Sequence, residues 1–130
     1  MTDGLTLRIN LDSPVPAYRQ IVDGIRILLV NGKLAPGAEL PSVRRVAVDL
    51  GVHFNTVAEA YRTLADEGWL DLRHGRSAMV VERSAPAAAP EQVEEFRRRL
   101  HALVAETLAK GSSAAKLSNE LLRMANELKS

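Results

Sequence analysis

The side chains with most chemistry to offer gather around one short run, Phe54-Asn55-Thr56, with Arg44 and Arg45 before it and Arg73-His74-Gly75-Arg76 after it. An asparagine amide can pair through both of its ends with adenine, and a threonine hydroxyl can bond a base or a phosphate while its methyl meets the methyl of thymine. A guanidinium holds a phosphate in fork geometry. Arginine and histidine beside a glycine suit entry into a minor groove, because glycine leaves no side chain between backbone and ligand. Together with Ser42 and His53, which open the two helices, these residues imply recognition of double-stranded DNA and are the candidate DNA contacts. Each also has a plainer reading: Arg44 and Arg45 as solvated helix charges, Asn55 and Thr56 as helix caps, Phe54 as a packing residue and His74 as a turn residue.

Catalysis finds no such footing. His53, His74 and His101 lie far apart with no paired ligand spacing, and there is neither a glycine-rich phosphate loop nor a nucleophile elbow. No enzymatic activity, catalytic residue, cofactor or metal is expected. Cysteine is absent, which removes disulfides and thiolate metal sites and fits a reducing cytoplasm. The longest aliphatic run, Ile27 to Val30, is far short of the roughly twenty apolar residues of a membrane span. The N-terminus lacks the basic flank and apolar core of an export signal, so a soluble cytoplasmic protein with no membrane partner is expected.

Charge is less helpful. The 130 residues carry a formal net charge of +1, and residues 40–81 hold five arginines against five acids, so bulk charge does not argue for nucleic acid. Placement does somewhat: Asp49, Asp66, Glu67 and Asp71 are expected at helix ends or the strand start, away from the groove-facing turn and the wing tip, where Arg44, Arg45, Arg73 and Arg76 can converge. Glu59 stays close to that surface.

The elements that must hold these groups read as a winged helix-turn-helix in an α+β fold. Ser42 can cap a first helix by accepting from a backbone N–H, and Val43, Val46, Ala47 and Leu50 recur at helical spacing until Gly51. Val52 plugs the corner and His53 precedes a second helix, whose buried stripe is Val57, Ala60, Tyr61 and Leu64 and whose stop is Gly68. Its first turn is left exposed. Residues 69–72 and 78–81 read as strands joined by the basic turn. Upstream, Leu5, Leu7, Ile9 and Leu11 alternate with polar residues as a half-buried strand would, expected to add an edge to the wing sheet. Pro16 suits a first helical position, and Tyr18, Ile21, Val22, Ile25, Leu28 and Leu29 form one face of a helix ended by Asn31-Gly32. Residues 34–38 are read as loop, with Pro36-Gly37 forcing a turn.

Beyond the wing, residues 84–90 read as a linker, since Pro86, Pro90 and small residues supply neither helix donors nor packing volume. Residues 1–83 are then the winged domain and 91–130 a helical segment. Val93, Phe96, Leu100, Leu103, Val104, Thr107 and Leu108 follow alternating threes and fours; after Gly111-Ser112-Ser113, Ala114, Leu117, Leu121, Met124, Ala125 and Leu128 do so again. Two short helices cannot bury such faces on each other with much stability, so a homodimer is expected through this segment.

At this point a resemblance becomes specific. The runs LPSVRRVAVDLGV, NTVAEAYRTLADEGWL and RHGR resemble the DNA-binding domain of the GntR family of bacterial transcription regulators, and the likeness extends back through PVPAYRQI and GKLAPGAELPS. The short tail is similar to that of the YtrA-type branch, in which a small helical dimerisation segment replaces a large effector domain. The resemblance implies DNA contact by Arg44, Asn55, Thr56, Arg73, Gly75 and Arg76. Three departures stand out. Ser77 takes the place of a second wing glycine, Phe54 a position commonly held by arginine, proline or a small polar residue, and His53 that of a small capping residue, so the second helix should be capped less well.

The expected function is a sequence-specific DNA-binding regulator, a dimeric repressor that occludes a promoter at a palindromic operator. The alternative is a winged-helix adaptor that binds protein and has no specific affinity for DNA. No small-molecule effector is named by the residues, and the short tail leaves little volume for a pocket of several hundred cubic ångströms.

Overall fold

The computed structural model describes residues 5, 7–73 and 78–129, which divide into two compact units, Met1–Ser84 and Ala85–Ser130. In the first, α1 (Ala17–Val30) buries Ile21, Val22, Ile25 and Leu29 along one face, with Pro16 just outside as the N-cap. Asn31 closes it, and Gly32 takes a positive φ. Two shorter helices come next, α2 (Val43–Leu50) and α3 (Phe54–Asp66); α3 packs on both α1 and α2. The expected stripe of α3 is buried in full: Val57, Ala60 and Leu64 have no exposed surface and Tyr61 very little.

The wing is a three-stranded antiparallel sheet of β1 (Glu39–Leu40), β2 (Leu70–Asp71) and β3 (Ala78–Val80), with β3 in the centre. Glu39 pairs with Met79 and Leu40 with Ala78; Leu70 pairs with Val80 and Asp71 with Met79. Alternation puts Leu40, Leu70, Ala78 and Val80 into the core and leaves Met79 out.

One sequence expectation is corrected here. Leu5, Leu7 and Ile9 do pack half-buried against the core, yet the described part of this segment forms no strand and Leu11 is exposed. The third strand comes instead from Glu39–Leu40, in what reads as the end of a loop. The reason lies at Gly24, where an added Cβ would stand 2.8 Å from Leu7 Cδ2: the leucine fills the notch left by the glycine, holding the segment to α1 and not to the sheet. Gly37, with φ +94°, turns the chain so that its N–H reaches Val80 O at 2.8 Å, while Val80 N–H reaches Ala38 O, extending the β1–β3 pairing.

Polar bonds between elements fix the scaffold. Tyr18 and Thr63 hydroxyls meet at 2.7 Å between α1 and α3, and the buried Tyr61 hydroxyl donates to Pro41 O at 2.7 Å, tying α3 to the residue before α2. Burial raises the Tyr61 phenol above its ordinary range, which keeps it a donor. Arg26 forks onto Glu67 through Nε and Nη2, at 3.2 and 2.5 Å, and holds that carboxyl below the usual carboxylate range. Arg83 ends the unit: its Nε donates to Glu67 O at 2.8 Å, its guanidinium lies 4.5 Å from the Trp69 ring centre, and its methylenes rest on Gly68. Residues 84–89 beyond it are exposed and irregular.

The second unit holds α4 (Gln92–Ala109) and α5 (Ala114–Lys129). Ser113 caps α5, accepting from Ala115 N–H at 3.1 Å and Lys116 N–H at 3.3 Å. Neither helix buries a single residue in this chain. No helix among the described residues is long and apolar enough to cross a membrane.

Candidate nucleic-acid interface

The corner between α2 and α3 is built by two caps and a glycine. Ser42 Oγ accepts from Arg45 N–H at 3.1 Å and starts α2 as expected; Gly51, at φ +70°, ends it in the left-handed conformation that spares a Cβ clash. Val52 N–H returns to Ala47 O at 3.1 Å, half-burying Val52 in the corner.

His53 corrects a second expectation. Far from leaving α3 poorly capped, its Nδ1 accepts from Asn55 N–H at 3.0 Å, so the imidazole takes the role of the small polar residue it replaces. That bond assigns the ring proton to Nε2, leaving an exposed N–H donor at the helix start. His53→Ala is expected to cost about 1 kcal/mol of stability and His53→Asn to recover most of it. Urea unfolding of the three proteins checks this, and equal stability of His53→Ala and the parent removes the cap from the account.

The residues after it present an uncommitted surface. Asn55 is exposed and its side-chain amide has no hydrogen-bond partner among the described residues; Thr56 is half-buried beside it. Phe54 is 46% exposed, and the Arg44 guanidinium lies 5.8 Å from its ring centre. Arg44, Ala47, Val48, Val52 and Phe54 line an open depression of about 370 Å³.

The arginines divide unequally. Arg44 has no acidic partner among the described residues, whereas Arg45 Nε lies 3.3 Å from Asp49 Oδ2 and Arg62 is 2.9 Å from Glu59. Arg73 forks onto Asp71, with bonds of 2.9 to 3.2 Å that raise its own pKa. Asp49 and Asp71 lie near a helix end and in a strand as expected, yet an i,i+4 spacing on α2 and a two-residue separation after β2 bring each onto an arginine expected to face DNA. His74, Gly75, Arg76 and Ser77 lie outside the described residues.

The apolar residues expected to form a dimer seam all belong to the second unit. In α4, Val93, Phe96 and Leu103 are about 60% exposed, with Leu100 and Val104 half-buried; in α5, Leu121, Met124 and Leu128 are exposed, with Leu117 half-buried. Sequence reasoning missed Arg83, Arg26 and the Tyr18–Thr63 pair, which carry no local pattern that could have flagged them. Among the described residues there is no group of three or more histidine or acidic side chains placed to hold a metal ion.

Comparison with known proteins bears on this geometry. Residues 17–80 match the family described as "Bacterial regulatory proteins, gntR family". The chain is 35% identical to YtrA of Sulfolobus acidocaldarius, a GntR-family transcription factor of solved structure, covering 95% of this chain and all of that one with a TM-score of 0.56. It is 27% identical to the HTH-type transcriptional repressor YtrA of Bacillus subtilis over 95% of each chain. With the repressor NagR of the same organism it shares 38% identity over 57% of its length, but spans only 30% of NagR.

Proposed function

Since the chain belongs to the gntR family of bacterial regulatory proteins, we propose that it is a cytoplasmic transcriptional repressor that binds a palindromic operator as a homodimer and acts by occluding a promoter. The observation that carries this reading is the surface at the head of α3: an exposed Asn55 amide and an Arg44 guanidinium, neither with a hydrogen-bond or acidic partner among the described residues. A recognition helix meets base edges with its first turn. The amide and the guanidinium break no internal hydrogen bond or ion pair among the described residues when they turn to a base or phosphate, and the guanidinium gives up at most its surface contact with the Phe54 ring.

Dimerisation is supported by the unburied apolar faces of α4 and α5, which a second copy can cover. Two winged units related by a two-fold then read half-sites about 34 to 36 Å apart. The pairing of Arg45 and Arg73 with acids supports weak binding to random DNA, so that discrimination rests on base contacts.

The test is fluorescence anisotropy of the full chain on DNA from upstream of its own reading frame, with scrambled duplex as competitor. Specific binding is expected to fall about 10²- to 10³-fold between roughly 50 and 200 mM salt, as neutralising about four to six phosphates requires. If neither this DNA nor any fragment selected from random sequence binds better than scrambled duplex, the adaptor reading replaces the repressor.

A further inference from the structure

The depression between α2 and α3 has a composition that suits one feature of a DNA major groove. Its lining is apolar apart from the Arg44 guanidinium: Ala47 is buried, Val52 is half-buried, and Val48 and Phe54 leave 74% and 46% of their surface to solvent. Two such side chains kept wet beside each other, next to an exposed asparagine amide, are a poor arrangement for a free helix corner. The Phe54 ring is also not swallowed by the core, although α2 offers it a neighbour in Val48. The ring instead faces the Arg44 guanidinium, which is thereby held over the aromatic surface and not against an acid.

We propose that this depression receives the 5-methyl group of a thymine, making Phe54 a specificity-determining residue of the repressor proposed above, on which this inference rests. Thymine alone among the bases presents a methyl group in the major groove, next to its O4 acceptor. An apolar rim formed by Val48 and Phe54 takes the methyl, while Arg44, steadied by the ring, is within the same site to donate to a neighbouring acceptor or phosphate. Asn55 reads the adjoining base pair. A cytosine at the same place offers no methyl and turns an amino donor toward the guanidinium, so it is rejected on both counts.

The experiment uses the full chain and the duplex it prefers from a random-sequence selection, with each thymine replaced in turn by deoxyuridine, which deletes only the methyl. Binding is expected to fall about four-fold at one thymine of each half-site, as losing the burial of one carbon group implies, and roughly fifteen-fold when both are replaced. Phe54→Ala should bind the parent duplex more weakly and show no further loss at that thymine, yet respond like the parent protein to deoxyuridine elsewhere; Phe54→Leu, apolar but lacking the ring, should keep part of the effect. A selected operator at which no thymine shows a loss dependent on Phe54 overturns the inference and leaves the repressor standing. A selection that yields no preferred sequence overturns both.

Discussion

Replacing Arg44 with alanine is expected to weaken operator binding by at least about ten-fold per half-site, hence about a hundred-fold for a dimer, with little change in stability. The guanidinium is exposed, has no acidic partner among the described residues, and its contact with the Phe54 ring is a surface one. Removing it should therefore leave the fold nearly untouched, within about 1 kcal/mol. Arg62→Ala is the comparison: that arginine also sits on the helix-turn-helix but pairs with Glu59, and its loss should leave stability unchanged and lower affinity far less than loss of Arg44. Anisotropy titrations of both variants, with thermal unfolding followed by circular dichroism, decide the matter. Equal operator affinity for Arg44→Ala and the parent protein would remove the residue from the interface.

The second large effect is expected from the tail. Phe96→Glu combined with Leu103→Glu places two charges on a face of α4 that the single chain leaves more than half exposed. In a lone chain such changes are nearly free, because the side chains already meet water. In a dimer seam they bury unpaired carboxylates, which no short interface tolerates. The variant should be monomeric by light scattering and should bind its operator about 10²- to 10⁴-fold more weakly, since linkage of two winged units supplies that factor through effective concentration. Affinity for a single half-site should be unchanged. A double variant that remains dimeric with full operator affinity would send the seam elsewhere.

Much of the winged unit was legible because its signals are local and periodic. The buried stripe Val57, Ala60, Tyr61 and Leu64, the cap at Ser42 and the stop at Gly51 each come from spacing or from one residue's conformational preference. The sheet was legible only in part. Glu39–Leu40 is too short to show a period, whereas the N-terminal segment shows one and its described residues join no sheet, because alternation reports which side is buried and not which partner buries it. The candidate site was legible in the same partial way: residue types singled out Arg44 and Asn55 as candidates, but residue type alone does not say that Asp49 pairs with Arg45 and Asp71 with Arg73. His53 escaped for a chemical reason, since rankings of capping residues favour side-chain oxygens and an imidazole nitrogen can accept the same bond.

The Arg83 anchor has a consequence of a different kind. By stacking on Trp69 and bonding the end of α3, it closes the winged unit with that unit's own residues, just before the exposed and irregular residues 84–89. A head finished in this way is a portable cassette. Exchanging the residues after Ser84 for a different assembly module or a sensor is expected to keep the same reading head, because the splice falls in exposed, irregular chain.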